Sequence, residues 1–277
     1  MREAVIVSTA RTALTKAARG AFNNTHGIKL AAHSIEHAIA RAGIDPAEVD
    51  DVILGNAAQS GTTGFNIARN AALAAGCPVT TSGTSVNRFC SSGLQTLAMG
   101  AGRIIAEGVD VMVTGGVESI SLPGTSDVKE SVEPELYGKY PGLWYPMIKT
   151  ADIVADRYSI SREAQDEYSL ISQQRTAAGQ ETGAFDDEIV PMNTIMKVKN
   201  KETGEITEHA AVADKDDCNR PSTTIEGLAS LNPIMGEDAF ITAGNASQLS
   251  DGSSAQVLME RSEAERRGLD ILGTFRG

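Results

Sequence analysis

The sequence has few cysteines, no long apolar run and no apolar stretch typical of a signal peptide. Its three cysteines, Cys77, Cys90 and Cys218, are scattered and form no Cys-x-x-Cys pair. Such sparse cysteines are typical of a reducing compartment and argue against a disulfide framework. No stretch is long and apolar enough to cross a membrane, and the N-terminus begins directly with a strand-like segment. We therefore expect a cytoplasmic protein with no membrane association.

Aromatic residues and positive charge are also scarce. Aromatics make up 4% of the chain, and 24 Lys and Arg face 36 Asp and Glu, for a net charge of −12. A strongly acidic chain with few stacking side chains disfavours nucleic acid and anionic membranes as partners. The 277 residues are 41% hydrophobic, which suits a globular protein of one large domain or two ordinary ones.

Strand-like and helix-like segments alternate through the first 119 residues. Residues 4–8 and 52–55 are short and β-branched, and residues 29–42 have the spacing of an amphipathic helix that ends at Gly43. Residues 109–114 form a further apolar strand before a glycine pair. This alternation predicts an α/β domain with an at least partly parallel sheet.

The character of the chain changes over residues 120–248. The first 30 of these are loop-rich, Ser161 can cap a long helix, and residues 195–209 have the pattern of a polar β-hairpin. A strand at 254–259 and a capping box that starts at Ser262 then return to the earlier pattern. Residues 271–277 resemble the first half of another strand, so we expect the natural chain to continue.

Cys90 stands where an extended stretch (84–88) gives way to a helix-compatible stretch (94–107). The unpaired N–H groups at a helix N-terminus favour an anion there, and so favour a thiolate. A thiolate is the reactive form of cysteine and a suitable nucleophile for acyl transfer. The alternative is a buried structural cysteine, because free cysteine is often a core residue.

A second motif suggests a metal rather than a nucleophile. His33-Ser-Ile-Glu36-His37 has the H-x-x-E-H spacing of inverted zinc peptidases. The motif is short, and the sequence offers no obvious third ligand, so a solvated helix face explains it better. We expect no bound metal.

Four motifs, in order along the chain, resemble those of the thiolases (acetyl-CoA acetyltransferases and 3-ketoacyl-CoA thiolases). They are Arg2-Glu-Ala-Val-Ile-Val-Ser-Thr-Ala-Arg-Thr12, Val86-Asn-Arg-Phe-Cys-Ser-Ser-Gly-Leu-Gln95, Gly115-Gly-Val-Glu-Ser119, and Thr242-Ala-Gly-Asn-Ala-Ser247 with Ser250-Asp-Gly252. The sequence departs from many members at Phe89, where they carry Gln; we expect Phe89 to pack beside the thiol. The resemblance spans essentially the whole chain.

The resemblance implies the thiolase fold, a layered αβαβα architecture made of two βαβαβαββ halves with an α+β loop domain inserted in the first. Residues 1–119 and 249–270 would form the first half, and residues 120–248 the loop domain that binds CoA. Residues 271–277 would begin a second half that is otherwise missing.

The resemblance also implies site residues. Cys90 matches the nucleophile that forms the acyl-enzyme, and Arg220 matches a loop-domain arginine near the CoA adenine and phosphates. Ser247 and Ala243 match pantetheine contacts. Leu231 and Met147 match acyl- or pantetheine-lining positions more weakly. The alternative for both is an ordinary core residue. CoA and acyl-CoA would be substrates, with no permanently bound cofactor.

Three expected groups of the second half are not in the sequence: a Gly-His-Pro histidine, a second catalytic cysteine and an Asn-Glu-Ala-Phe motif. The thiolase expectation is thiolytic cleavage of 3-ketoacyl-CoA in fatty acid β-oxidation, or Claisen condensation of acetyl-CoA, by a homodimer or homotetramer. The bare 277 residues should then turn over little. The alternatives are a non-catalytic or partner-dependent acyl-CoA-binding subunit and, further off, a decarboxylating ketoacyl synthase.

Overall fold

The computed structural model describes residues 2–122 and 132–277. The chain forms two compact units. The first takes Met1–Thr125, Asp186–Cys218 and Leu249–Gly277, and the second takes Ser126–Phe185 and Asn219–Gln248. The strands all lie in the first unit: β1 Ala4–Arg11, β2 Thr15–Lys16, β3 Asp51–Gly55, β4 Ser82–Val86, β5 Val111–Glu118, β6 Met192–Lys199, β7 Ile206–Ala213, β8 Ser250–Glu260 and β9 Gly273–Thr274.

Helices occur in both units. The first unit holds α1 Gly27–Ala42, α2 Ile67–Ala74 and α3 Ser92–Gly102, and the second holds α4 Pro134–Lys139, α5 Met147–Arg157, α6 Arg162–Glu181 and α7 Ile225–Ala229; α8 Arg261–Arg267 returns to the first. A π-helical turn, Arg103–Glu107, extends α3. Among the described residues, no helix is long and apolar enough to cross a membrane.

The main sheet combines parallel and antiparallel strands in the order β4-β3-β5-β8-β1-β9, with β2 attached to β8. Strand β3 runs parallel to β4 and β5, and β8 runs antiparallel to β5 and β1. The predicted α/β architecture with a partly parallel sheet is therefore confirmed. The predicted hairpin is also confirmed, as the separate antiparallel pair β6-β7.

Alternating side chains of the strands face helices on both sides of this sheet. Ile53, Met112 and Leu258 pack with the C-terminal part of α3 and its π-helical turn. On the opposite face, the hydroxyls of Ser8 and Ser253 donate to α1 carbonyls, at 2.6 Å in each case. A sheet covered on both faces explains why its central strands β3 and β5 are buried along most of their length.

Helix ends follow local chemistry, with one exception to the prediction. Gly43 ends α1 with φ +66° and Ser161 caps α6, as expected, and Asn66 caps α2. The capping box expected at Ser262 was wrong. The N-cap of α8 is Glu260, two residues earlier, and its carboxylate accepts from the N–H groups of Ser262 and Glu263. A carboxylate is also favoured by the helix dipole at that end.

The segment 186–218 belongs with the first unit. Its contacts there include an ion pair between Arg11 and Asp216 and a hydrogen bond from Asn23 Nδ2 to the Lys197 carbonyl. The assignment of all of 120–248 to a loop domain stays a prediction, and residues 123–131 of that stretch lie outside the described part of the chain.

Candidate active site

Cys90 lies between the end of β4 at Val86 and the start of α3 at Ser92, as the sequence predicted. Its side chain is exposed rather than buried. The alternative of a buried structural cysteine is therefore wrong for this residue. Phe89, expected to pack beside the thiol, is instead 76% exposed.

The turn that carries Cys90 is held by hydrogen bonds on both sides of Phe89. The Phe89 N–H donates to Asn87 Oδ1 at 2.8 Å, and the Phe89 carbonyl accepts from Ser92 Oγ at 2.6 Å. Phe89 has φ +49°, in the left-handed region that bulky side chains rarely adopt. Such conformations persist where surrounding bonds hold them, and they cluster at functional sites.

The N-terminal end of α3 faces this turn without a side-chain cap. Ser91 is the N-cap residue, but its hydroxyl donates back to the Arg88 carbonyl at 3.0 Å and caps no N–H group. The first turn of α3 carries no acidic residue. An uncapped helix N-terminus favours negative charge beside it, which suits a site where charge develops during acyl transfer.

Small residues let α3 come close to the sheet at this point. A Cβ on Gly55 would overlap the backbone of Ser92, and a Cβ on Gly116 would lie 3.6 Å from Gly93 Cα. The end of β3 therefore contacts the start of α3 directly. This contact fixes the helix N-terminus relative to the strand ends.

The other two cysteines have different environments. Burial raises the pKa of the Cys77 thiol, and burial also raises that of Cys218, against an opposing hydrogen bond with Ser250. Raised pKa values keep both thiols protonated at neutral pH. Cys77 and Cys218 are therefore natural internal references for the reactivity of Cys90.

The second unit contains a cavity of about 280 Å³ that brings together three of the predicted CoA residues: Arg220, Leu231 and Ala243. Its other lining residues are mostly small or polar: Gln173, Ser222, Thr223, Thr224, Gly227, Leu228, Gly244, Ala246 and Gln248. The remaining two predicted residues are not in the lining. Ser247 is an exposed residue between two lining positions, and Met147 is 73% exposed at the start of α5.

The loop that carries Ala243 is tightly bonded. The buried Thr242 makes two hydrogen bonds within the loop. Its N–H donates to Asn245 Oδ1 at 2.8 Å, and its hydroxyl accepts from the Gly244 N–H at 3.1 Å. The backbone at Gly244 and Asn245 is therefore a local turn held by its own hydrogen bonds. Gly244 also lines the cavity, so the same turn forms part of the cavity wall.

A larger cavity, about 470 Å³, lies in the first unit and is lined by Asn24, Thr25, His26, Lys29, Met192, Asn193, Thr194, Ile195 and Glu208. None of the predicted site residues lines it. The smaller cavity is the candidate CoA site because three residues of the predicted CoA set converge on it. Within residues 2–122 and 132–277, no group of three or more His, Cys, Asp or Glu side chains could hold a metal ion.

The histidines of the zinc-peptidase motif have a structural explanation. The rings of His33 and His37 meet edge to face with centroids 4.5 Å apart. His33 Nε2 also lies 3.2 Å from the Val190 carbonyl oxygen, and burial lowers the His33 pKa.

Two residues near Cys90 were not assigned a role from the sequence. Glu118 accepts from the backbone N–H groups of Ala57 and Ala58, and Asn87 donates to the Ala57 carbonyl. Both residues are part of motifs that the sequence displays. Their partners lie 30 or more positions away along the chain, so spacing gave no signal for these bonds.

Known proteins of one family are similar to this chain in sequence. The family model for the thiolase N-terminal domain matches residues 4–262. The chain is 40% identical over 276 residues to "3-ketoacyl-CoA thiolase 1, peroxisomal" of Arabidopsis thaliana, covering 99% of this chain and 61% of that protein. It is 38% identical over 277 residues to a 3-ketoacyl-CoA thiolase of Bacillus subtilis (strain 168), covering 100% of this chain and 70% of that one.

The fold is also similar to that of a solved structure, the acetyl-CoA acetyltransferase of Bacillus anthracis. The TM-score is 0.83 at 35% identity, and the match covers 98% of this chain and 69% of the other. The chain thus spans about three fifths of the length of the Arabidopsis relative. With the family model, the relatives and the fold in agreement, the chain belongs to the thiolase family, matching its N-terminal domain.

Proposed function

We propose that this chain performs the acyl-enzyme half of a thiolase reaction, with Cys90 as the nucleophile. The observation that carries the proposal is the exposed thiol of Cys90 at the uncapped N-terminus of α3. The Cys90 thiolate attacks the thioester carbonyl carbon of an acyl-CoA. The bond from that carbon to the CoA sulfur breaks, CoA leaves as a thiolate that takes up a proton, and the acyl group stays on Cys90.

The CoA moiety would bind to the loop domain, residues 120–248. Three residues that line one cavity, Arg220, Leu231 and Ala243, support this proposal. A guanidinium pairs with phosphate and stacks on adenine, which is the role we propose for Arg220. Ser247 and Met147 would contact the pantetheine or acyl part. CoA and acyl-CoA are then substrates, and no cofactor is held permanently.

Removal of the acyl group requires a base. In the thiolase mechanism a Gly-His-Pro histidine and a second cysteine supply proton transfer, and residues 1–277 contain no His-Pro pair. We therefore propose that these 277 residues alone form the acyl-enzyme but turn over slowly. With the remaining groups present, the same intermediate serves both thiolysis of 3-ketoacyl-CoA and condensation of acetyl-CoA.

We also propose a homo-oligomer, a dimer or tetramer, in the cytoplasm. Strand β4 lies at the edge of the main sheet, and Phe65 and Phe89 nearby are 97% and 76% exposed. An unpaired edge strand with apolar neighbours is suited to pairing with another chain. The three free cysteines are consistent with a reducing compartment.

Acetyl-CoA incubation followed by peptide mass mapping tests the central step. One acetyl group should appear on Cys90 and be lost in Cys90→Ala, while Cys77→Ala and Cys218→Ala should acetylate as the wild type does. Acetyl groups shared equally among the three cysteines would refute the proposal. CoA binding by calorimetry without any acetylation would support the acyl-CoA-binding subunit instead.

A further inference from the structure

The strands β4, β3 and β5 end at one edge of the sheet. Gly55, the last residue of β3, is in register with Val86 of β4 and with Gly116 of β5. Because these strands are parallel, the segments that follow them meet at this edge. The Cys90 turn follows β4, the loop from Asn56 follows β3, and Glu118 ends β5.

The Glu118 carboxylate binds the first residues of the loop after β3. Its Oε2 accepts from the Ala57 N–H at 2.7 Å, and its Oε1 accepts from the Ala58 N–H at 3.3 Å. Hydrogen bonds from N–H groups to an ionised carboxylate are stronger than those to a neutral acceptor. One side chain therefore fixes the direction of two successive peptide groups.

Asn87 connects that loop to the Cys90 turn. Its Nδ2 donates to the Ala57 carbonyl at 3.0 Å, and its Oδ1 accepts from the Phe89 N–H at 2.8 Å. The Phe89 N–H is a donor, so it requires the amide oxygen, and the amide nitrogen must then face the Ala57 carbonyl. Glu118 holds the N–H of Ala57, and Asn87 holds its C=O.

The hydrogen bonds from Glu118 through Ala57 and Asn87 end at Phe89, whose backbone conformation is unusual. Phe89 has φ +49° and directly precedes Cys90. Its side chain is exposed, so side-chain packing does not hold this conformation. The bonds from Asn87 and Ser92 to the Phe89 backbone are then the contacts that keep the thiol at the N-terminus of α3.

We propose that Glu118 is a positioning residue for Cys90, acting through Ala57 and Asn87. It does not touch the acyl group. By anchoring the loop after β3, it gives Asn87 a fixed acceptor, and Asn87 in turn fixes the Phe89 peptide. The inference rests on the proposed function, because it assumes that the position of Cys90 matters for its reactivity.

The test compares alkylation of Cys90 by iodoacetamide at neutral pH in Glu118→Ala, Glu118→Gln and a matched control. The control is Glu260→Ala, because Glu260 likewise accepts from two backbone N–H groups in the first unit, at 2.7 and 3.2 Å, but at the start of α8. Rates are measured by peptide mass mapping for each cysteine. Buried Cys77 reports general opening of the first unit.

In Glu118→Ala the Cys90 rate should fall about tenfold, because the turn that holds the thiol at the start of α3 loses its anchor. Glu118→Gln should recover most of the rate, since its amide oxygen still accepts from the Ala57 N–H. Glu260→Ala should leave the Cys90 rate unchanged. In all of these proteins the Cys77 rate should stay at its wild-type value.

A wild-type Cys90 rate in Glu118→Ala would overturn the inference, as would a change in Cys90 accompanied by faster labelling of Cys77. If Cys90 labels no faster than Cys218 in the wild type, the proposed function itself fails. Should Glu118→Ala not fold, the exposed Asn87 tests the same link from its other end. Asn87→Asp keeps the acceptor for the Phe89 N–H but loses the donor to the Ala57 carbonyl, so it should label Cys90 more slowly than the wild type, and a wild-type rate would overturn the inference.

Discussion

Arg162 and Asp166, one turn apart on α6, form an ion pair that connects two walls of the cavity in the second unit. Arg162 Nε lies 2.8 Å from Asp166 Oδ2, and Asp166 is 3% exposed. Arg162 Nη2 also donates to the carbonyls of Leu228 and Leu231, at 2.7 and 3.1 Å. Asp166 Oδ1 accepts from Asn245 Nδ2 at 3.1 Å. The pair thus ties α7 and the Thr242–Ser247 loop to one helix.

Loss of Arg162 should therefore destabilise the second unit. In Arg162→Ala the buried Asp166 carboxylate loses its cation, and we expect the free energy of unfolding to fall by about 3 kcal/mol. The matched control is Lys139→Ala, which breaks an exposed i,i+4 pair with Glu135 and should change stability by less than about 0.5 kcal/mol. Urea unfolding followed by the fluorescence of Trp144, the sole tryptophan, reports on this unit. Equal losses in both variants would contradict the prediction.

Arg220→Ala should weaken CoA binding about tenfold, because a charge-assisted bond to a phosphate contributes roughly 1.5 kcal/mol. Arg220 lines the cavity, and its N–H donates to Gln173 Oε1 at 2.6 Å. Arg175→Ala is the control, since Arg175 is exposed on the same α6 helix as Gln173 but is outside the cavity lining. Isothermal titration calorimetry measures both, and an equal loss of affinity would point to general charge attraction.

Gly55→Ala should disturb the Cys90 turn through α3. Because a Cβ there would overlap the Ser92 backbone, we expect a loss of about 2 kcal/mol in stability, typical of overpacking, together with slower alkylation of Cys90. Gly102 is the last residue of α3, and a Cβ added there meets nothing within 4 Å. Gly102→Ala should therefore raise stability by about 0.5–1 kcal/mol. Thermal unfolding by circular dichroism separates these outcomes. An unchanged Tm for Gly55→Ala would show that α3 can shift freely.

Acid should weaken the contact between Arg11 and Asp216. Burial alone would raise the pKa of Asp216, but hydrogen bonds from Arg11 and from the Leu14 N–H outweigh it, and the folded-state pKa is lowered. A carboxyl of this kind stabilises the fold above its unfolded pKa of about 4, and the contribution is lost as pH falls through the folded value. The destabilisation by Asp216→Asn should thus be largest near pH 7 and shrink below about pH 4.

Denaturant unfolding at several pH values, followed by far-UV circular dichroism, measures this difference. The exposed Asp270 offers a control in Asp270→Asn, whose effect should be small at every pH. A difference between Asp216→Asn and the wild type that stays constant down to pH 3 would contradict the assigned contact.

Local chemistry in the sequence predicted many of the helix ends and strands. Contacts between residues far apart in the sequence could not be predicted from it. Gly43, Asn66 and Ser161 act on residues within a few positions, so their helix boundaries were predictable. Glu260 was overlooked as a cap because Ser262 offered a better local pattern, although the strand β8 continues up to Glu260. The position of Cys90 was predictable for the same local reason.

The bonds around the site were not predictable in this way. Glu118 and Ala57 meet because β3 and β5 are neighbours, a fact of sheet order rather than of spacing. Arg162 and Asp166 share a helix face by their i,i+4 spacing, but their contacts to Leu228 and Asn245 depend on how the chain returns. Contacts between residues that are distant in sequence can be identified only once the fold is known.

The central place of β8 in the sheet sets an order for folding. Strand β1 pairs with β8 and β9, and its partner residues lie about 240 to 270 positions later in the chain, so they leave the ribosome after it. Until Ser250–Glu260 emerges, β1 and the β8-facing side of β5 have unpaired edges, which are exposed to mispairing. The second unit, in contrast, is complete at Gln248. It can form before the sheet closes, so a chaperone that protects nascent strands should act on β1 until Ser250–Glu260 has been made.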